Sequence, residues 1–359
     1  MRLLIAGGGT GGHLYPGVAV AQELLARPGQ HRVLFAGTRR GIEARVLPAL
    51  GLPFEPVRAA GVVGRGPAGA LRGAAVTLAG LGDAWRVVRR FRPHACLGVG
   101  GYASVAVVAV ARLLGVPTAV QEQNAWPGLA NRVLGRWVHR VYAGFPEAAG
   151  RFPRGRTLVT GNPVRAELAR PAPFQAPGPG QPAHLLVIGG SQGARVLNET
   201  VPPALERVAV PVEVLHQAGP GRADETRERY GARKGVRVAG YLEDMASAYA
   251  WAHLVVARAG ALTVAELAAA GRPAVLVPYP HAAGGHQEHN ARSVEARGAG
   301  VCLPQAGLTP ERLAAVLEEL LGSPGRLEAM AEAAAASARR DAARVIVDDL
   351  MGMAGRLGS

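Results

Sequence analysis

The chain has 359 residues, more than one hydrophobic core usually holds, and this length suits two domains. Hydrophobic residues make up 49% of it and charged residues 18%, which excludes a disordered protein. Basic residues outnumber acidic ones 40 to 26, but no zinc-finger or RNA-binding aromatic motif accompanies the excess. We therefore expect phosphorylated substrates or an anionic membrane surface, and no nucleic acid, as partners of the basic residues.

The sequence contains no apolar run long enough to span a bilayer. Its first six residues predict a short strand and lack the apolar core and cleavage site of a signal peptide. These features predict a cytoplasmic protein. The two cysteines, Cys96 and Cys302, lie in apolar segments without the spacing of a metal site, so we expect both to pack in the core.

Short apolar runs that end in glycine predict the strands, and helical stretches follow them. The first such runs are residues 2–6, 31–36, 95–97 and 184–188. This alternation predicts βαβ units and parallel sheets. A Pro/Gly-rich stretch at 171–182, after Gly161-Asn162-Pro163, indicates a domain junction.

We therefore expect two doubly wound, Rossmann-like α/β domains that face each other across a cleft. The N-terminal domain is predicted to cover 1–162 and the C-terminal domain 163–337. A helical C-terminal stretch breaks near Arg339. We expect residues 338–359 to pack back on the N-terminal domain.

Three glycine-rich turns, at 7–12, 98–101 and 189–193, each lie between a strand and a helix. Backbone N–H groups and the helix dipole can bind phosphate there, although glycine also serves simply to form tight turns. None of the turns ends in the Gly-Lys-Ser/Thr of a P-loop. The strand ending at Ala36 is followed by Gly-Thr-Arg-Arg and not by a ribose-binding acid, which disfavours an NAD-dependent dehydrogenase.

A further turn follows the strand at 254–257 and enters a helix at about Ala261 to Thr263. The N–H groups of that first turn are placed to hold a diphosphate, and Glu266 to accept both hydroxyls of a ribose. The alternative is a capping box, in which Thr263 and Glu266 satisfy each other's backbone.

The segment 285–291 contains two histidines, but no carboxylate-rich pattern completes a metal site, and the chain has no Asp-X-Asp pair. The sequence therefore predicts neither a metal nor a cofactor. Contacts of Gln287 and Asn290 with sugar hydroxyls are the better interpretation of this segment.

Several motifs occur in order along the chain: Gly8-Gly9-Thr10-Gly11-Gly12-His13, Gly98-Val99-Gly100-Gly101-Tyr102, Glu122-Gln123-Asn124, Gly161-Asn162-Pro163-Val164-Arg165, Gly190-Ser191-Gln192-Gly193-Ala194-Arg195 and Gly260-Ala261-Leu262-Thr263. Together they resemble the MurG family of cell-wall N-acetylglucosaminyltransferases over the whole chain. The resemblance implies the GT-B fold and a UDP-N-acetylglucosamine donor bound mainly by the C-terminal half. It also implies that the N-terminal half binds lipid I, the lipid-linked muramoyl-pentapeptide acceptor, which the reaction converts to lipid II.

The resemblance also assigns roles to single residues. In the C-terminal half it implies donor contacts by Arg165 and Ser191 with the UDP-sugar, Leu242 with uracil, Ala261, Leu262 and Thr263 with the phosphates, Glu266 with the ribose and Gln287 with the sugar, and it places Val264 and Ala265 among the substrate-binding residues. In the N-terminal half it implies that the site includes Thr10, Gly11, Gly12 and Asn124. Two positions depart from the family pattern: Gln121 replaces a frequent histidine and Gly285 a frequent acid.

The family implies a single displacement with inversion at the anomeric carbon, and this reaction needs a base for the attacking hydroxyl. His13 is our candidate, because a histidine that titrates at about pH 6.5 supplies a neutral imidazole. The alternative role for His13 is to orient the glycine turn or to bind the acceptor pyrophosphate. Glu122 is the second candidate base.

A lipid-linked acceptor requires contact with a membrane. Leu78, Leu81 and Trp85 lie at helical spacing among arginines, and this pattern suits an anionic membrane surface. The arginines are Arg72, Arg86, Arg89, Arg90 and Arg92, and a second group could add Arg132, Arg136, Trp137 and Arg140. The alternative is an amphipathic helix with a core-facing stripe. We expect a peripheral enzyme on the cytoplasmic face of the cell membrane, with cell-wall synthesis and division proteins as candidate partners.

Two other functions fit part of the pattern. A UDP-N-acetylglucosamine 2-epimerase shares the fold and the donor but needs neither a lipid acceptor nor the basic apolar patch. A non-catalytic UDP-sugar sensor or membrane adaptor would need the donor site but no base.

Overall fold

The structure, a computed structural model, describes residues 1–39, 41–59, 67–169, 171–190 and 192–357. The chain forms two compact units. Unit 1 comprises Met1–Val164 together with the C-terminal residues from Asp341, and unit 2 comprises Arg165–Arg340. The sequence predicts this division after residue 162 and the return to the first domain at residue 338.

Each unit is built on a parallel sheet. In the described part of unit 1 the strands are β1 (Arg2–Ala6), β2 (Arg32–Gly37), β3 (Phe54–Pro56), β4 (Ala95–Gly98), β5 (Thr118–Glu122), β6 (Arg140–Ala143) and β7 (Thr157–Val159). In the described part of unit 2 they are β8 (Ala183–Ile188), β9 (Val212–Gln217), β10 (Val236–Ala239), β11 (Leu254–Ala257), β12 (Ala274–Leu276) and β13 (Gly300–Cys302).

Helices connect these strands. In the described part of unit 1 they are α1 (Gly11–Leu25), α2 (Glu43–Ala49), α3 (Pro67–Phe91), α4 (Tyr102–Leu113), α5 (Leu129–Leu134) and α6 (Pro146–Ala149). In the described part of unit 2 they are α7 (Arg195–Leu205), α8 (Ala223–Arg229), α9 (Met245–Trp251), α10 (Ala261–Ala270), α11 (His286–Ala296), α12 (Pro310–Leu321) and α13 (Pro324–Ser337), after which α14 (Ala342–Leu357) belongs to unit 1. No helix in the described ranges is both long and apolar enough to cross a membrane.

The strand orders define where ligands can bind. The sheet of unit 1 runs β3-β2-β1-β4-β5-β6-β7 and that of unit 2 runs β10-β9-β8-β11-β12-β13 among the described residues. The order reverses between β1 and β4 in unit 1 and between β8 and β11 in unit 2, and a doubly wound sheet opens a binding crevice at such a switch point. The predicted fold class, with two doubly wound α/β domains, is confirmed.

The strand sequences explain the layering. Leu3, Leu4, Ile5 and Ala6 of β1 are fully buried, because helices cover both faces of the sheet. Leu3 and Ile5 belong to one core with residues of α1 and α14, whereas Leu4 and Ala6 belong to another with residues of α3 and α4. Alternation along a strand thus distributes one apolar run between two cores. Both cysteines are buried, as predicted.

The C-terminal helix α14 is part of the unit 1 core. Its apolar face contributes Ile346 and Leu350, and Asp349 lies beside β6, where it accepts hydrogen bonds from Arg140 Nε at 3.0 Å and from the Tyr142 hydroxyl at 2.9 Å. The chain therefore returns to the first unit through both apolar packing and a partly buried polar contact.

Candidate active site

The first glycine turn needs glycine for its shape. Gly7, Gly8 and Gly9 follow β1 with φ values of 138°, 137° and 88°, which other residues rarely adopt. A Cβ atom at Gly7 would lie 2.3 Å from the carbonyl oxygen of Gly100. The turn then enters α1 at Gly11, so the open first-turn amides of that helix lie at the switch point.

The second glycine turn packs directly on the first. The Gly8 N–H donates to the Gly100 carbonyl oxygen at 3.3 Å, and a Cβ atom at Gly101 would lie 2.7 Å from the carbonyl oxygen of Gly8. Because α4 begins at Tyr102, immediately after this turn, the N-termini of two helices meet where the strand order reverses. Such an arrangement suits an anion.

His13 lies in the first turn of α1, beside both glycine turns. Its Nδ1 is 3.3 Å from Thr10 Oγ1, and its ring lies so close to Gly100 that a Cβ atom there would be 2.8 Å from His13 Cδ2. The ring is half-buried. The structure thus brings together Thr10, Gly11, Gly12 and His13 of the predicted site.

Glu43 is a residue that the sequence analysis missed. It is 1% exposed, in the first turn of α2, and its Oε2 accepts from the Gly9 N–H at 2.7 Å. Its Oε1 accepts from the Thr38 N–H at 2.8 Å and from the Thr38 hydroxyl at 2.9 Å. Glu43 therefore joins the turn after β1 to the turn after β2. The sequence feature that could have indicated Glu43 is an acidic residue at the start of a helix, shortly after the Gly37-Thr38 turn.

Glu122 organises the loop that follows β5. Its Oε1 accepts from the backbone and side-chain N–H groups of Asn124 at 2.9 and 3.1 Å, and its Oε2 accepts from Gly128 N at 3.1 Å and Asn131 Nδ2 at 3.0 Å. Burial raises the pKa of Glu122, and these hydrogen bonds oppose the rise. Both oxygens are occupied in holding the segment that carries Asn124.

A buried amide layer lies beneath that loop. Gln121 Nε2 donates to Asn162 Oδ1 at 2.7 Å, Asn162 Nδ2 donates to the carbonyl oxygen of Gln123 at 2.8 Å, and Gln123 Nε2 donates to the carbonyl oxygen of Val99 at 2.8 Å. Gln121, one of the two departures from the family pattern, thus has the Asn162 side-chain amide as its hydrogen-bond partner. The layer connects the Asn124 loop with the second glycine turn.

In unit 2 the helix α10 begins at Ala261, as predicted. Its N-cap is Gly260, in an extended conformation and without a side chain that could accept from the first-turn amides. An uncapped helix N-terminus that follows a strand at the switch point is a site for phosphate. The capping-box alternative is wrong, because Thr263 lies inside the helix and the Glu266 carboxylate contacts other residues.

Glu266 forms a buried cluster with Tyr249 and Arg165. It is 5% exposed; its Oε2 accepts from the Tyr249 hydroxyl at 3.1 Å, and its Oε1 lies 3.3 Å from Arg165 Nε. Burial raises the pKa of Glu266, while the Arg165 charge and the Tyr249 hydrogen bond lower it. The structure thus joins two predicted donor-binding residues, Arg165 and Glu266, in one ion pair.

The remaining donor-side residues lie near α10 and α11. Gln287 is in the first turn of α11, and its Oε1 accepts from the Tyr279 N–H at 2.9 Å. Asn290 is fully buried and its Nδ2 donates to the Ala259 carbonyl oxygen at 3.1 Å, so it supports the turn before α10 instead of facing a sugar. Leu242 is half-buried between β10 and α9. Ser191 lies outside the described residues.

Arg258 places a positive charge at the end of β11, beside the α10 turn. Its NH1 donates to the carbonyl oxygens of Val277 and Pro278 at 3.1 and 3.3 Å, and its NH2 donates to Gln305 Oε1 at 2.8 Å.

In the described part of the chain, no three His, Cys, Asp or Glu side chains group so that they could hold a metal ion.

Both units match one family of sugar-transferring enzymes. Residues 3–143 match the glycosyltransferase family 28 N-terminal domain, and residues 184–346 match its C-terminal domain. The fold and the site therefore define a glycosyltransferase.

Similar proteins of known name indicate which kind of glycosyltransferase this chain resembles. A protein of Syntrophotalea carbinolica is 48% identical over 340 residues, which cover 93% of this chain and 94% of the relative. One of Geobacter metallireducens is 44% identical over 358 residues, 98% of each chain. Both are named UDP-N-acetylglucosamine–N-acetylmuramyl-(pentapeptide) pyrophosphoryl-undecaprenol N-acetylglucosamine transferase.

The solved structures agree. The crystal structure of Acinetobacter baumannii MurG covers 98% of this chain and 99% of its own, with 32% identity and a TM-score of 0.82. The chain belongs to the MurG family within glycosyltransferase family 28. A UDP-N-acetylglucosamine 2-epimerase also matches, with a TM-score of 0.67, but its 16% identity shows a shared fold alone.

Replacing Glu43 by Gln should loosen the first glycine turn. One carboxylate oxygen would become an NH₂ group facing a backbone N–H, and a buried donor without an acceptor costs about 1–3 kcal/mol. We expect a loss of that size in the free energy of unfolding, measured with urea, and a lower turnover. The exposed Glu328→Gln is the control and should leave both unchanged. Wild-type stability and turnover in Glu43→Gln would contradict the role assigned to Glu43.

Proposed function

We propose that this enzyme transfers N-acetylglucosamine from UDP-N-acetylglucosamine to the 4-hydroxyl of the muramoyl sugar in undecaprenyl-pyrophosphoryl-MurNAc-pentapeptide. The product is lipid II, an intermediate of peptidoglycan synthesis. The observation that carries this proposal is 48% identity, over 93% of the chain, to a relative named for that transfer. The geometry supports it, because each reactant carries a diphosphate and each unit has a helix N-terminus at its switch point.

The donor diphosphate is assigned to the first turn of α10, at Ala261, Leu262 and Thr263. Fixed N–H groups stabilise the charge that develops on the departing UDP, and they need no reorganisation to do so. Arg258 adds a positive charge beside the same turn. Arg165 and Ser191 are assigned to the UDP-sugar by the family resemblance.

The other donor groups are assigned around that turn. Leu242 would meet the uracil, Glu266 the ribose and Gln287 the N-acetylglucosamine, while Val264 and Ala265 continue the helix behind the phosphates. Because Tyr279 holds the Gln287 carbonyl group, Gln287 presents its NH₂ group as a donor to a sugar oxygen.

On the acceptor side, His13 would act as the general base. As the 4-hydroxyl oxygen attacks the anomeric carbon, a neutral His13 imidazole takes the hydroxyl proton and the bond from that carbon to UDP breaks, with inversion. The first-turn backbone of α1, from Thr10 to Gly12, is assigned to the acceptor pyrophosphate, and Asn124 completes the site. Glu122 remains the second candidate base, but its four hydrogen bonds favour a role in positioning Asn124.

A transfer assay tests the function. We expect labelled N-acetylglucosamine to pass from UDP-N-acetylglucosamine to a lipid-linked muramoyl-pentapeptide acceptor, measured by separation of the lipid product. Omission of the acceptor is the control and should leave the donor unchanged. Isomerisation of the donor without acceptor would favour the 2-epimerase, and donor binding without any turnover would favour a sensor.

His13→Ala should separate chemistry from donor binding. Loss of a general base lowers kcat by about 10²–10⁴-fold, whereas the affinity for UDP, measured by calorimetry, should stay close to that of the wild type. His31, which immediately precedes β2, provides the control, and His31→Ala should retain turnover. If His13→Ala turned over at the wild-type rate, the base would have to be another group.

We also propose that the enzyme binds the cytoplasmic face of the cell membrane peripherally. On α3, Trp85 is 47% exposed and the Arg89 guanidinium lies 5.4 Å from the centre of its ring. Leu81, however, packs on the unit 1 core, so the core-facing alternative is correct for this residue. Arg86 and Arg90 pair with Asp83 and Glu55. The side chains of Leu78 and Arg72 lie outside the described part of the structure.

A second apolar surface is formed by residues of α4, of α5 and of the segment that follows α5. Leu113, Leu129, Val133 and Trp137 are 76%, 58%, 50% and 63% exposed, and we call these four residues the α5 surface. The last three are spaced by four residues, and the exposed Arg132 and Arg136 lie between them. Large exposed apolar side chains beside cations suit an anionic lipid surface. Arg140, in contrast, is paired with Asp349 of α14. Binding to other cell-wall synthesis and division proteins stays a prediction.

The double variant Arg132→Glu/Arg136→Glu should weaken binding to anionic vesicles. Each basic residue near such a surface contributes about 1 kcal/mol, so two reversals should reduce binding at least about tenfold. Co-sedimentation with phosphatidylcholine/phosphatidylglycerol vesicles measures this.

The triple variant Arg86→Glu/Arg89→Glu/Arg90→Glu tests, in the same assay, the arginines near Trp85 on α3, which we call the α3 surface. The exposed unit 2 residues Arg312 and Arg326 match the double variant in charge, and adding Arg339 matches the triple variant. Reversal of these residues should leave binding intact. If both unit 1 variants bound as the wild type does, neither surface would be the membrane contact.

A further inference from the structure

Tyr249 has no role in the function proposed above, yet its hydroxyl contacts a residue of the donor site. The side chain is 1% exposed, in α9, and its O–H donates to Glu266 Oε2 at 3.1 Å. A buried phenol needs a hydrogen-bond partner, and here that partner is the carboxylate assigned to the ribose.

The backbone of Tyr249 is also held firmly. Arg272, which is 2% exposed, donates from Nε to the Tyr249 carbonyl oxygen at 2.6 Å and from NH2 to the Ala250 carbonyl oxygen at 3.3 Å. The Arg272 guanidinium lies 5.4 Å from the centre of the Phe174 ring. With its backbone fixed and its ring buried, Tyr249 presents its hydroxyl from a fixed position.

The other oxygen of Glu266 still has acceptor capacity. Oε1 is buried and accepts no hydrogen bond from the described residues; its ion-pair contact is with Arg165 Nε at 3.3 Å. A carboxylate oxygen has two lone pairs, and leaving them unused in a buried place is costly. A ligand hydroxyl is the kind of donor that would complete Oε1.

We propose that Tyr249 is a positioning residue, which holds Oε2 of Glu266 so that Oε1 receives a hydroxyl of the donor ribose. This inference rests on the proposed function, since it takes a uridine diphosphate sugar as the donor. It also refines the expectation that Glu266 accepts both ribose hydroxyls: Oε2 already accepts from Tyr249, and Oε1 carries the contact with the ribose.

The affinities for UDP and for 2′,3′-dideoxy-UDP, both measured by titration calorimetry, test the proposal. A hydrogen bond to a charged group corresponds to a preference for UDP of about tenfold or more in the wild type. In Tyr249→Phe the carboxylate loses its fixed orientation, and we expect this preference to fall to about a third of its wild-type value or less. In the transfer assay KM for the donor should rise while kcat changes little.

Tyr230→Phe is the matched control. Tyr230 is also a buried tyrosine of unit 2, but its hydroxyl lies 2.8 Å from His216 Nδ1 and has no part in the donor site. This variant should keep the full preference for UDP. Circular dichroism and the thermal midpoint verify that both variants are folded.

A double-mutant cycle separates positioning from a general structural effect. Glu266→Gln should reduce the preference by itself, and the addition of Tyr249→Phe should reduce it little further, because both changes act on the same contact. Fully additive losses, or an unchanged preference in folded Tyr249→Phe, would overturn the inference. If the enzyme transfers the sugar but does not prefer UDP over 2′,3′-dideoxy-UDP, only the inference about Tyr249 is wrong. If that preference depends on Tyr249 but no transfer occurs, only the proposed function is wrong.

Discussion

The close approach of two backbone turns determines the geometry of unit 1. Gly7 and Gly8 meet Gly100 and Gly101 at distances that leave no room for a Cβ atom. Because the contact is between backbones, it fixes where α1 and α4 begin, and it places the His13 ring against Gly100. Glu43 secures the outer side of the same turn through Gly9. The parallel sheet places the turns after β1 and β4 side by side, and glycine allows their backbones to come into contact.

In unit 2 the corresponding helix is α10. Its first turn has no side-chain cap, but residues farther along the helix are held by hydrogen bonds. Gly260 leaves the first-turn amides of α10 without a side-chain cap, whereas the Ala269 carbonyl oxygen near the other end accepts from Arg340 Nε at 2.9 Å. Glu266, between them, is buried against Tyr249. Contacts of Ala269 and Glu266 therefore hold α10 farther along the helix, whereas its first turn has no side-chain cap.

Much of this architecture could be predicted from sequence, because strand–glycine–helix patterns are local. The start of α10 at Ala261 and the two doubly wound sheets are confirmed. The contacts of Glu43 and Tyr249 could not be predicted, since each joins segments that are distant along the chain, such as Glu43 with Gly9 and Tyr249 with Glu266. Helical spacing alone likewise does not distinguish Leu81, which packs on the core, from Trp85, which is exposed.

The amide layer beneath the Asn124 loop has one further consequence. Gln121 stands where related proteins often carry histidine, and its neutral side chain pairs with the equally neutral Asn162. An imidazole in that buried place would exchange a proton as the acidity of its surroundings changed, and the packing would have to tolerate a new charge. Two carboxamides carry no such proton. The Gln121–Asn162 pair therefore does not change its charge as the pH falls.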